Sequence, residues 1–257
     1  IFVFLDTRTT PAVVGDLVEV TGVAGEYFGL TQINASGAPD LVTVVTPAAD
    51  LDPALVPAPV PLPDDVVGAD REQYEGMLVT PEGDYRVSSM HEVDRFGSVW
   101  LAAGSVPVKS TEVARPGTDA DQIAAANRAA TILLDDGRNA QVTTATQPYL
   151  LADDVVRIGD HVDFGDLAYV LHYGFDRWRL QPTTPLTATT SDDLEPTFVE
   201  ANPRPAAPAD VGGDLTLASF NVLNYFTTFT DDDPDARGAR NAAQFAVQKP
   251  KIVAALT

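Results

Sequence analysis

A mainly β protein, divided into small modules by proline-rich straps, is what this sequence predicts. Three observations carry the prediction. Apolar and polar residues alternate over short runs, as in Leu17-Val18-Glu19-Val20-Thr21 and Val155-Val156-Arg157-Ile158, and a period of two marks a half-buried strand. Turn-forming residues bound such runs: Ile132-Leu133-Leu134 leads straight into Asp135-Asp136-Gly137. Finally, residues 52–63 (DPALVPAPVPLP) and 191–213 (SDDLEPTFVEANPRPAAPADVGG) are proline-dense, which suits connections better than helices. They separate segments 1–51, 64–190 and 214–257.

Segment 1–51 opens inside an apolar run, Phe2-Val3-Phe4-Leu5-Asp6. Residues 52–63 are expected to be a linker or an ordered strap. In segment 64–190, residues 74–79, 85–87 and 98–101 are strand candidates. Residues 119–130 are rich in Ala and predict one helix, with Thr118 as its N-cap.

An internal repeat organises these segments. Gly15-Asp16-Leu-Val-Glu-Val-Thr-Gly is followed by Tyr27-Phe28-Gly29-Leu30-Thr31-Gln32. Gly159-Asp160-His-Val-Asp-Phe-Gly-Asp is followed by Tyr173-Gly174-Phe175 and Arg179-Leu180-Gln181. Each copy is preceded by an apolar run ending in Asp, at Asp6 and Asp135. The second copy has three strand candidates ahead of it. The first has no counterpart to them, so residues 1–51 read as the back half of a module.

The pattern Gly-Asp-x-Val-x-Val-x-Gly, then a turn and a strand ending in Leu-Gln, is similar to bacterial OB-fold modules. These are five-stranded barrels that bind oligonucleotides or sugars. The resemblance implies an OB-like half module over 1–51 and a second OB-like module over 64–190. The best candidate binding cluster is Tyr173, Phe175, Arg177, Trp178 and Arg179, because aromatics stack on bases and arginines hold phosphates. Strand alternation puts Phe175 and Arg177 on one face and Trp178 on the other. The competing reading is that these aromatics fill the barrel core. His91, Arg95 and Phe96 form a weaker patch.

Composition removes several function classes. The chain lacks cysteine, which excludes disulfides, thiolate metal sites and cysteine nucleophiles. His91, His161 and His172 show no zinc-ligand spacing. Neither a phosphate-binding glycine loop nor a G-x-S-x-G elbow is present. Apolar runs stay far short of the ~20 residues of a membrane span. There is no initial Met and no leader pattern, so the expectation is a chain that starts within a longer protein or after a removed leader. The net charge of −21 repels nucleic acid at long range. It reads either as solubility or salt adaptation, or as a surface bridged to phosphates by divalent cations.

In segment 214–257, residues 215–220 have a buried-strand pattern that delivers Asn221 at its tip, the place where α/β enzymes put site residues. Asn224 follows as a strand-end cap or a site residue. Residues 240–256 carry Phe245, Ile252, Val253 and Leu256 at helical spacing, and Pro250 should kink that helix or mark its start. Asp231, Asp233 and Asp235 alternate as in a calcium loop. Ala236 and Ala242 stand where glycine and glutamate are needed, so an EF-hand is excluded.

The stretches LASFNVLNYF (residues 217–226) and RGARNAAQFAVQKPKIVAAL (237–256) resemble the start of the endonuclease/exonuclease/phosphatase domain of secreted bacterial nucleases. That family carries OB-like modules upstream, joined by a proline-rich stretch. The resemblance implies the first strand and helix of an α/β sandwich over 214–257. It further implies an extracellular or cell-surface location, a nucleic-acid substrate (DNA, with RNA as a second) and a divalent metal (Mg²⁺ or Mn²⁺, with Ca²⁺ as a further candidate). Asn221 matches the Asn that positions the metal and the scissile phosphate. Arg237 and Arg240 would contact phosphate or pair with nearby aspartates. The family's carboxylate and its later His, Asp and Asn have no match here, so residues 1–257 alone are expected to be inactive. Two other readings stand beside this one: a non-enzymatic binding or self-assembly module, and a phosphatase or phosphodiesterase of the same superfamily.

Overall fold

Strands dominate, as the alternation predicts. The computed structural model describes residues 1–257 except 8, 39, 144–145, 150–154, 190–191, 204, 208, 216, 257 and the side chain of Asp192. Two compact units divide it, Ile1–Arg204 and Pro205–Thr257. The first unit begins with β1 (Phe2–Phe4), β2 (Leu17–Val20), β3 (Val23–Tyr27), β4 (Leu30–Asn34) and β5 (Val42–Thr46). Next come β6 (Val60–Pro63), β7 (Leu78–Glu82), β8 (Tyr85–Ser89), the one-turn helix α1 (Val93–Phe96) and β9 (Val99–Ala103). The one-turn α2 (Ser110–Val113), α3 (Thr118–Ala130), β10 (Thr131–Leu134), β11 (His161–Asp163), β12 (Tyr169–Gly174), β13 (Arg177–Pro182) and β14 (Thr197–Val199) complete it. The second unit holds α4 (Ala242–Leu256).

Nine strands form one sheet in the order β14-β11-β8-β9-β10-β13-β12-β7-β6. Its pairs are antiparallel except β10–β13 and β6–β7. β7 and β8 lie far apart in that order yet are joined by Gly83-Asp84 alone, so the sheet must curl. Gly83 permits the bend. Its φ is 111°, and a Cβ there would run into the Asp64 carboxylate, which accepts the Asp84 N–H at 2.7 Å. Inside the curl lie Leu62, Val79, Tyr85, Val87, Val99, Leu101, Ile132, Leu134, Leu171, Trp178 and Leu180, all buried. Alternation sets this up: on β13, Trp178 and Leu180 are buried while Arg177 and Arg179 are not.

Arg71 is fully buried. Its guanidinium donates to the Thr131, Val66 and Ala130 carbonyls at 2.6, 3.1 and 3.4 Å. The Thr131 and Ala130 carbonyls are at the C-terminus of α3, where helix carbonyls lack partners and a cation is favoured. Burial lowers its pKa.

The repeat is structural. In the first copy the order is β1-β4-β3, with β1 parallel to β4, and β2 pairs with β5. In the second, β10-β13-β12 has the same directions, and β11 pairs with β14. Both hairpins turn through two left-handed residues, Phe28-Gly29 and Phe175-Asp176, as a type I′ turn requires. Gly15 and Gly159 have φ of 99° and 100°. Asp16 accepts the Val13 and Ala48 N–H groups at 2.9 and 2.8 Å. Asp160 likewise accepts those of Arg157, Ala201 and Asn202 at 2.7, 2.9 and 3.2 Å. One sequence equivalence shifts. Phe2 pairs with Gln32 as Leu133 pairs with Arg179, so Asp6 matches Gly137, both left-handed, and Asp135 matches Phe4.

Other expectations are adjusted. Thr118 is the first helical residue rather than the cap, and Gly117 at the N-cap offers no side-chain bond. Residues 155–158 are not a strand; their end, from Arg157 on, enters the turn that Asp160 closes. Both proline-rich straps contribute edge strands, β6 and β14. Pro61 and Pro63 are tolerated in β6 because an edge strand has one unpaired side. In the second unit, residues 215 and 217–220 form no strand. Among the described residues of that unit no other strand exists to receive their backbone bonds, and an unpaired strand is not stable. α4 runs through Pro250 without ending there.

Burial pushes the Asp160 carboxyl up, but its backbone donors and the Arg157 charge outweigh burial and leave it below its ordinary value. The folded state therefore gains stability from this carboxylate above ~pH 4, and loses it as pH falls through the lowered value. Asp160→Ala is expected to destabilise by about 3 kcal/mol at pH 7, and the less buried Asp16→Ala by about 1 kcal/mol. Urea unfolding at pH 7 and pH 3 measures both; a deficit for Asp160→Ala that does not shrink at pH 3 contradicts the assignment.

Candidate nucleic-acid interface and the Asn221 loop

The arginines of β13 stand on the outer face of the curled sheet. Pairing sets a row across four strands there: Trp100 opposite Leu133, Leu133 opposite Arg179, Arg179 opposite His172. Arg177 donates from Nη1 to both Glu92 oxygens, at 2.8 and 3.1 Å, and its guanidinium lies 4.8 Å from the Trp100 ring centre. Arg179 donates to Asp135 Oδ2 at 2.9 Å and stacks 5.2 Å from the Phe175 ring centre. Each guanidinium thus has a carboxylate and an aromatic face.

The expected cluster is only partly brought together. Phe175 does not share a strand face with Arg177; it sits at the hairpin tip, 84% exposed. Trp178 is buried in the core and meets Tyr173 edge-on at 4.9 Å. Tyr173 packs on that core and also lies against Gly29 of the first module, where a Cβ would come within 2.8 Å of its ring. The outward groups are Phe175, Trp100 and the two paired arginines. The Arg177–Glu92 pair is the more exposed, with side chains 38% and 18% accessible against 17% and 7% for Arg179–Asp135. An exposed pair is worth ~0–1 kcal/mol, so a phosphate can compete with Glu92 for Arg177 far more easily than with Asp135 for Arg179. Glu92, Trp100 and Asp135 carried no sequence signal for this face, since their contacts span tens of residues.

In the weaker patch, Arg95 stacks over Phe96 at 5.1 Å. His161 Nδ1 meets Asp84 at 2.8 Å, a bond between β11 and the bend. Burial first, and then the Arg179 charge, lower the His172 pKa, against the opposing pull of Asp135. His172 faces Phe2 of the first module edge-on at 6.0 Å. Behind the arginine pair lies a second acid. Asp136 is fully buried, its Oδ2 lies against Gly97, and among the described residues that oxygen finds no hydrogen-bond donor. Burial, with the neighbouring Asp135 adding, pushes its carboxyl up to about 6, against the bond it accepts from the Arg138 N–H.

In the second unit, residues 221–241 fold back on α4. Tyr225 stacks on Phe245 at 4.9 Å, and Gln248 Nε2 donates to the Leu223 carbonyl at 3.4 Å. Gly238, with φ 119°, lets the chain pass the Asn224 carbonyl. A depression of about 300 Å³ is lined by Leu223, Asn224, Gly238, Ala239, Gln244 and Gln248. Asn221 lies outside it, exposed, its Oδ1 accepting the Leu223 N–H at 3.0 Å. Asn224 is left-handed, with φ 51°. Arg240 Nε donates to Asp231 at 3.3 Å, while Arg237 is exposed. The Asn221 oxygen is a hard donor suited to Mg²⁺ or Ca²⁺, but such ions take about six oxygens. Among the described residues no three His, Cys, Asp or Glu side chains gather around it.

No protein-family model, curated protein or solved structure matches this chain.

Because the folded value of Asp136 is raised, stability falls as pH rises from ~4 to ~6 and levels off above. Asp136→Asn is expected to stabilise at pH 7 by up to about 3 kcal/mol and to change little at pH 4. Thermal unfolding at the two pH values checks this; an equal effect at both would remove the ionisation from the account.

Proposed function

We propose that this chain is the front portion of an extracellular, metal-dependent nuclease that hydrolyses phosphodiester bonds of DNA. One observation carries the reading: the two stretches that resemble the nuclease domain, residues 217–226 and 237–256, pack on each other through Tyr225–Phe245 and Gln248–Leu223. That contact leaves the Asn221 side chain accessible to a phosphate. Its amide can donate to a phosphate oxygen while Oδ1 keeps the turn.

The upstream part is read as an OB-like module. The bent strand β7–β8, then β9, β10, β13 and β12, follow one another round the sheet, and β12 returns to β7. A five-strand circuit supports this reading. On its outer face, Phe175 and Trp100 would stack bases and Arg177 would exchange Glu92 for a phosphate. The strongly negative chain makes such binding weak in low salt unless cations screen it.

Plasmid hydrolysis by the full-length protein tests the proposal. Cleavage is expected with Mg²⁺ or Mn²⁺, and chelation should abolish it. Asn221→Ala should slow it by about a hundredfold, the scale of losing one donor to a developing charge; an unchanged rate takes Asn221 out of the site. Inactivity on DNA with turnover of small phosphodiesters would move the reading to a phosphodiesterase.

A further inference from the structure

The first module leaves three strand edges open. Among the described residues β1 and β3 pair only with β4 between them, and β2 pairs only with β5. In the second module the counterparts β10, β12 and β11 carry β9, β7 and β8 on those same edges. Individual bonds can be matched. The Leu171 N–H donates to the Met77 carbonyl at 3.0 Å, and the Gly159 N–H to the Val87 carbonyl at 2.8 Å. The repeat puts Ala24 and Gly15 in those places, and both are exposed. The apolar faces match as well. Val162, on the strand beside β8, is 5% exposed, whereas its counterpart Val18 is 36% exposed, and every residue of β3 is exposed.

We infer that this face and its three edges receive a three-stranded antiparallel segment patterned like residues 78–103, contributed by the stretch of the full-length polypeptide that precedes β1. Its first strand lies along β3, its second beside β2 and its third along β1. Chain order supports the source, because β7–β9 precede β10 in the second module. A second copy cannot lend its own 78–103, which is built into its own sheet. A helix or small ligand would cover the apolar face but leave the edge N–H and C=O groups without partners. The inference is independent of the nuclease reading.

Hydrogen exchange of the full-length protein tests it, with peptides covering 14–27 read against 158–174 in the same sample. The expected result is rates within about tenfold of each other, as for equivalent edge amides that are hydrogen-bonded alike in two repeats. Exchange at 14–27 more than about a hundredfold faster overturns the inference. So does protection that disappears on dilution, which would mark a second copy as the occupant. Val18→Asp supplies a second reading: it should expose 14–27 to fast exchange and leave 158–174 unchanged, and a variant with unaltered protection at 14–27 overturns the inference as well.

Discussion

Asp160 sits where three parts of the chain meet, and much of the second module hangs on its bonds. Its carbonyl accepts the Val87 N–H of β8 at 2.9 Å. Its carboxylate holds the turn before β11 through Arg157 and the chain leaving β14 through Ala201 and Asn202. A buried carboxylate is tolerable only when its oxygens are satisfied, and here backbone amides satisfy them. Gly159 beside it supplies the left-handed backbone. The Gly-Asp step is thus a mechanical joint, and the same joint recurs at Gly15-Asp16. Arg71 solves the complementary problem, a buried cation held by carbonyls at the end of α3.

How far the sequence reveals this depends on the range of the contact. The repeat was readable because its signals are local: a left-handed glycine, an aspartate that closes its own turn, a two-residue hairpin. The match of Asp6 to Asp135 misled because two aspartates look alike in a string, while the strand register equates Asp6 with Gly137. The fate of the arginines was not readable. Glu92 lies 85 residues from Arg177, and Asp135 lies 44 from Arg179; nothing in the neighbourhood of either arginine announces its partner. Alternation did separate Trp178 from Arg177, but it could not say that Phe175 leaves the strand. Residues 215–220 show the opposite failure: a good strand pattern, with no neighbouring strand among the described residues of its unit to make it one.

Placing both arginines against carboxylates gives the outer face a particular electrostatic character. Charge there is cancelled over a few ångströms, so in an acidic protein the face is a set of dipoles rather than a basic patch. Selectivity for a ligand would then depend on whether it can replace a carboxylate, and aromatic contact with Phe175 and Trp100 would add to it without regard to salt.

The two ends of the nine-stranded sheet have a consequence for the protein's behaviour at high concentration. β6 carries proline at alternate positions, 61 and 63, and β14 is three residues long. The amides that an incoming chain would have to recruit are chemically missing from the first and scarce on the second. Edge-to-edge pairing at the two ends of this sheet is therefore disfavoured, at one end by proline and at the other by shortness. The straps that look like connectors in the sequence thus also blunt the two ends of this sheet.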